Sequence, residues 1–180
     1  MLVTGVTILI FLQLILGAAM RHQHAGLSIS TFPSAYGKLW PDTSPEAIAR
    51  YNAERMETTA INPITAFQVI LQMVHRMMAL GIFIGVIACA VQAKRLLGTG
   101  DALTKFAFFW LILIVVQIGL GAATIWTNKA ADVATAHVMV GALSLVTGAL
   151  WCIIAFARSA QLPAAQAEAF GAFGTLAANK

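Results

Sequence analysis

Four apolar runs, at about 2–20, 64–93, 103–126 and 131–156, constrain this chain more than any other feature. A helix needs about 20 apolar residues to cross the hydrocarbon core of a bilayer. Each run reaches or approaches that length. The expected fold is all-α, an integral membrane four-helix bundle occupying residues 1–158, followed by a tail at 159–180. Composition agrees with this. The chain is 59% hydrophobic and 10% charged, whereas soluble domains carry roughly 25% charged residues. The net charge of +4 comes from short basic clusters with no basic face interleaved with aromatics. That excludes nucleic acid as a partner and leaves the lipid bilayer.

The first run, Leu2 to Met20, lacks a basic leader and passes directly into Arg21-His22-Gln23-His24, so no cleaved signal is expected. A polar connection of residues 21–62 follows. Within it Ser44 and Pro45 suit the N-cap and first position of a short surface helix reaching about Met56. A connection this long inside a bundle is unusual and is often a functional lid. The second run is longer than a span requires, so tilt or protrusion is expected. It closes at Lys94-Arg95, and Gly98-Thr99-Gly100-Asp101 forms the turn to the third. Cys89 and Cys152 sit late in apolar runs, without disulfide-framework or zinc spacing, and read as small buried hydrophobes.

Basic residues orient the bundle. The connection between the second and third runs sets Lys94, Arg95 and Lys105 against Asp101. The long first connection balances Arg21, Lys38, Arg50 and Arg55 against Asp42, Glu46, Glu54 and Glu57. The positive-inside rule then puts both termini in the cytoplasm and the long connection outside. The expected location is the inner (plasma) membrane of a bacterium or archaeon.

An internal repeat carries the chemistry. Gln13, Leu16, Gly17, Ala18 and Ala19 of the first run align with Gln117, Leu120, Gly121, Ala122 and Ala123 of the third. Each is followed by an apolar run containing one histidine, His75 or His137. Helix pairs repeated in the same direction imply a pseudo-twofold axis along the membrane normal. Such an axis brings His75 and His137 to similar depth on opposite sides of the centre. Ionisable groups within spans are rare and usually functional. Neutral imidazole is a good iron ligand, and paired histidines suit a bis-histidine haem. Gly17, Gly81, Gly85, Gly121 and Gly141 would admit a flat macrocycle, or would simply let helices approach. Arg76, one residue beyond His75, points away from the ligand direction, toward a haem propionate or the outer interface. Gln72 lies one short turn before His75 on the same face, an uncharged donor near the iron.

These motifs resemble the haem A synthases. The resemblance rests on Arg21-His22-x-x-Ala25-Gly26-Leu27 with Phe32-Pro33, on Gln72-x-x-His75-Arg76, and on Gln117-x-x-Leu120-Gly121-x-x-Thr124 through Ala134-Thr135-Ala136-His137. It covers most of the chain up to Phe156. The family is built from two four-helix halves with one haem site each, and converts haem O to haem A by oxidising a porphyrin methyl group. Some members are half-length chains that assemble as oligomers. The resemblance implies His75 and His137 as ligands of haem b iron, with Arg76, Gln72, Gly141 and Arg21 around the cofactor, and haem O or haem A as substrate or product.

Departures from the pattern shape the expectation. The family's catalytic half has a glutamate where Gln72 stands, and Gln72 matches the carboxyl-terminal, haem-b half. Thr31 replaces an acidic residue often found before Phe-Pro, and the outer-connection cysteines are missing. Glu54 and Glu57 are candidate replacements for the lost carboxylate. The leading expectation is a haem A synthase-type oxidoreductase working as a homo-oligomer or with a partner membrane subunit, with an unidentified electron donor. The alternatives are a membrane cytochrome b subunit that relays electrons, and a transporter or assembly subunit with no cofactor.

Overall fold

The computed structural model describes residues 2–54 and 62–159. Arg55, Glu57 and the tail from 160 onward lie outside the described residues. Among the described residues, five α-helices make up the fold: α1 (Leu2–His22), α2 (Pro45–Ala53), α3 (Ala66–Leu97), α4 (Ala102–Trp126) and α5 (Ala131–Ser159). All but α2 are long and apolar enough to cross a membrane. Among the described residues there is no β-strand, only an isolated bridge between Ala35 and Lys38.

The four long helices form a closed ring in the order α1, α3, α4, α5. Helices α3 and α5, which carry the two histidines, are therefore diagonal. Each is braced by both α1 and α4.

Local sequence sets the helix ends. Past Pro63, α3 starts at a capping box. The Thr65 hydroxyl accepts from the Gln68 N–H at 3.3 Å, and Gln68 Oε1 accepts from the Thr65 N–H at 2.9 Å. Such a cap stabilises by about 1 kcal/mol. The helix runs through Lys94-Arg95 and stops at Gly98, whose φ of 79° favours glycine. Asp101 caps α4 through Leu103 N–H at 2.8 Å and also grips Arg158 with both oxygens, at 3.0 and 2.8 Å. The start of α4 is thereby tied to the end of α5. In the short surface helix α2, Ser44 accepts from Ala47 N–H and Pro45 occupies the first turn.

Two buried clusters flank the histidine level. The larger joins Val3, Val6 and Ile10 of α1, Ile82 to Ala93 of α3, Leu103 to Ile114 of α4, and Trp151 of α5. Trp110 and Trp151 meet edge to face at 5.5 Å, and Trp110 Nε1 donates to the Ser144 carbonyl at 2.9 Å. Packing here is tight. A Cβ on Gly148 would fall 2.6 Å from Thr7 Oγ1 and 2.7 Å from Trp110 Cζ2. One on Gly85 would meet Val6 at 2.7 Å, so that glycine serves helix contact. Residues such as Ile8, Ile84, Ile112 and Ile153 are exposed on the outside of the ring, where lipid chains would cover them.

The smaller cluster belongs to the long first connection. Ile29 and Ala35 pack on Val69 and Met73 of α3, with Tyr36, Ile48 and Ile64 around them. Tyr36 stacks on Tyr51 at 3.6 Å and donates to the Ser28 carbonyl at 2.6 Å. Burial, then the neighbouring Tyr51, holds the Tyr36 phenol above its usual range, so it stays a donor. Asn52 of α2 pairs twice with the Ile64 backbone, at 2.7 and 2.9 Å. Phe32 reaches Trp126 at the end of α4, ring centroids 6.1 Å apart. The connection is thus a folded cover over the histidine end of the bundle.

Candidate functional site at the paired histidines

Helix geometry explains how the histidines are held. Residues four apart share a helix face. Gln13 and Gly17 on α1 therefore face the same neighbour, as do Gln117 and Gly121 on α4. His75 lies over Gly17, where an added Cβ would stand 3.6 Å from its Cε1. His137 lies over Gly121, where a Cβ would stand 3.2 Å from Cε1 and 3.8 Å from Nδ1. The repeat read from sequence thus has a repeated structural meaning: a glycine seat for an imidazole, with a glutamine one turn away.

Polar groups at this level are left incomplete. His75 Nδ1, His137 Nδ1, Gln13 Oε1 and Gln117 Oε1 are all sealed from solvent and none has a partner in good hydrogen-bond geometry, although the Gln117 main chain lies close to His137. Buried polar atoms normally find partners, since an unsatisfied one costs about 1–3 kcal/mol. Gln13 uses only its nitrogen, donating to the His75 carbonyl at 3.0 Å.

Gln72 is engaged elsewhere. Its Oε1 accepts from Ile29 N–H at 2.6 Å and from Ser28 Oγ at 2.9 Å, while Nε2 donates to the Gly26 and Ile29 carbonyls at 3.1 and 3.4 Å. An amide has two donors and one two-lone-pair acceptor, so its capacity is taken up by the connection. Arg76 does similar work. Its guanidinium donates to the carbonyls of Ile29, Thr31 and Ser34 at 3.3, 2.8 and 3.3 Å and lies over the Phe32 ring. Arg21 is exposed in the last turn of α1. Gly141 opens room for Gln117 and Leu14, whose Nε2 and Cδ2 would stand 2.9 and 3.0 Å from an added Cβ. Glu54 is exposed at the end of α2.

Among the described residues, no cluster of three or more His, Cys, Asp or Glu is placed to hold a metal ion by protein ligands alone. Two imidazoles would instead suit a metal that a macrocycle already holds. The glycine seats and the partnerless ring nitrogens fit that donor set. Sequence reasoning did not find the roles of Gln13 and Gln117 or of Ser28, Tyr36 and Asn52. The Gln-x-x-x-Gly spacing, present twice, was the signal for the first two.

Four spanning helices, with one histidine from each of two diagonal helices turned toward a shared level, define a multi-pass helical membrane protein. The COX15-CtaA family, described as cytochrome oxidase assembly protein, matches residues 1–177, and the chain belongs to that family. It is similar to a protein of Rickettsia prowazekii (strain Madrid E) named Heme A synthase, 27% identical over 153 residues. That similarity covers 83% of this chain and 41% of the relative, so the chain spans about two-fifths of that relative's length. No solved structure matches.

Proposed function

We propose that this protein binds haem b between His75 and His137 and takes part in oxidation of haem O to haem A, as a half-length subunit or homo-oligomer. The observation that carries the reading is the pair of repeat-related imidazoles, each seated on a glycine and each with a buried, partnerless Nδ1. With Nδ1 turned into protein, Nε2 is the ligating nitrogen. The bound haem supplies reversible one-electron chemistry. The chain's own residues would hold both imidazole donors, keep water from the seats, and hold the connection over one end through Gln72 and Arg76. Similarity to a protein named Heme A synthase supports the reaction. The proposed setting is the plasma membrane of a bacterium or archaeon, with both termini cytoplasmic and the covered end outside.

One absorption spectrum of the purified chain, with pyridine extraction, tests the cofactor. Low-spin bis-histidine bands from haem b are expected, and they vanish in His75→Ala and His137→Ala. A colourless protein, or variants that keep the bands, would refute the ligand assignment. Supplying haem O and finding no haem A at full haem loading would refute the synthase role.

A second reading is a cytochrome b subunit that relays electrons without synthase activity. Gln72 favours it. The position carries no carboxylate, and its amide is committed to the connection. Two axial imidazoles also suit electron transfer.

A further inference from the structure

The four sealed, partnerless atoms at the histidine level form two matched sets. Each contains one imidazole Nδ1 and one glutamine carbonyl oxygen: His75 with Gln13, and His137 with Gln117. The sets are related by the same repeat that relates the glycine seats. A histidine that ligates through Nε2 carries its proton on Nδ1, and that N–H needs an acceptor. Metal-bound histidines almost always find one in a carboxylate, carbonyl or water, which fixes the ring and raises its basicity. Water has no access here, because the Nδ1 atoms are sealed. Gln13 already holds the His75 main chain, with Nε2 on its carbonyl at 3.0 Å, so its Oε1 hangs beside the same residue. Gln117 is settled into the gap left by Gly141, one turn along α5 from His137, with its main chain also close to that histidine.

We propose that Gln13 and Gln117 are the positioning residues of the histidine pair, each accepting the Nδ1–H of its histidine through Oε1 when haem is bound. Each acceptor settles the tautomer, so that the bare Nε2 faces the iron. Each also pushes electron density onto its imidazole and so favours the oxidised iron. Gln13 would hold His75 at two points, backbone carbonyl and ring. This explains why a helix face otherwise built of Leu, Ile and Ala carries a buried amide in both repeats. The inference rests on haem ligation by His75 and His137.

The test is a redox titration and low-temperature EPR of the purified chain loaded with haem b, wild type beside Gln13→Met and Gln117→Met. Methionine keeps the length and removes the amide acceptor. Gln13→Glu and Gln117→Glu, which keep an acceptor and strengthen it, complete the set. The expected result is a midpoint potential that rises in both methionine variants and falls in both glutamate variants, with low-spin bands retained and the EPR g-values displaced. Methionine variants that load haem fully with unchanged potential and g-values would overturn it. If a methionine variant fails to accumulate, its glutamate counterpart decides, and an unchanged potential there overturns the assignment for that histidine. Failure of the ligand reading looks different, because haem bands would then survive His75→Ala and His137→Ala.

Discussion

Replacing Gln72 by leucine should loosen the cover over the histidine end while leaving the bundle intact. The two side chains are similar in volume, so the change is chiefly one of hydrogen bonding. Ile29 is fully buried, and its N–H has Gln72 Oε1 at 2.6 Å. Leaving that donor unpaired costs about 1–3 kcal/mol. The Gly26 carbonyl loses a donor, worth about 1 kcal/mol, whereas the Ile29 carbonyl keeps Arg76. Ser28 Oγ loses little, because the Ala25 and Gln68 carbonyls stand at 2.8 and 2.9 Å. The sum is about 3 kcal/mol of local opening energy. At about 1.4 kcal/mol per tenfold, that is roughly a hundredfold faster amide exchange. Hydrogen exchange read by mass spectrometry on the peptide containing Ile29, in nanodiscs, measures it. Gln72→Glu should also open the segment. It keeps the acceptor for Ile29 but turns a second oxygen toward the Gly26 and Ile29 carbonyls. Wild-type protection of Ile29 in Gln72→Leu would refute the claim that this amide holds the cover.

Three further outcomes follow from the geometry. Gly121→Ala should weaken haem retention more than Gly17→Ala, since the new methyl would press His137 Cε1 at 3.2 Å but reach His75 only at ordinary contact, 3.6 Å; haem content after gel filtration compares them. Gly148→Ala should destabilise the bundle by about 1–3 kcal/mol through overpacking against Thr7 and Trp110, visible as a lower Tm in detergent. Asp101→Asn keeps an α4 cap but loses the Arg158 pair, worth about 0.2–1 kcal/mol at an exposed site. The Arg158 hydrogen bonds hold the Asp101 carboxyl below its usual range. Its contribution is therefore complete above the ordinary aspartate pKa of about 3.9 and lost as pH falls through the depressed value. The Tm gap between wild type and Asp101→Asn should be constant above about pH 5 and close in stronger acid.

The spans were legible because lipid imposes a length and an apolar character that soluble folds do not require. The histidine level was legible because two polar residues in an apolar run stand out, and because Gln13-x-x-x-Gly17 recurs as Gln117-x-x-x-Gly121. From spacing alone Gln72 reads as an uncharged donor near the iron. Its spacing from His75 does put both on one face of α3. Yet three residues also advance a helix by about 4.5 Å, which lifts Gln72 to the level of the cover. What claims it there is backbone: the Ile29 N–H and the carbonyls of Gly26 and Ile29, groups that every residue possesses and no sequence pattern marks. Arg76 is diverted the same way, to carbonyls of Ile29, Thr31 and Ser34. Gly141 lies against the Gln117 and Leu14 side chains. Glycine spacing alone does not tell a helix contact from a ligand wall.

The cover belongs to one repeat only. Between α1 and α3 the chain folds a long cover with its own small core, while α4 and α5 are joined by the tight turn around Asn128 and Lys129. Helices that repeat about a twofold axis offer a planar guest two equivalent poses, related by turning it over. A glycine seat and a glutamine recur in both halves, differing in detail. Among the described residues, the cover, fastened by Gln72 and Arg76 to the α3 side and by Phe32 to Trp126, is the largest departure from the repeat and would distinguish the two poses. Directionality in this bundle thus resides in its loop, and a variant with a loosened cover would hold a lopsided macrocycle as a mixture of two orientations.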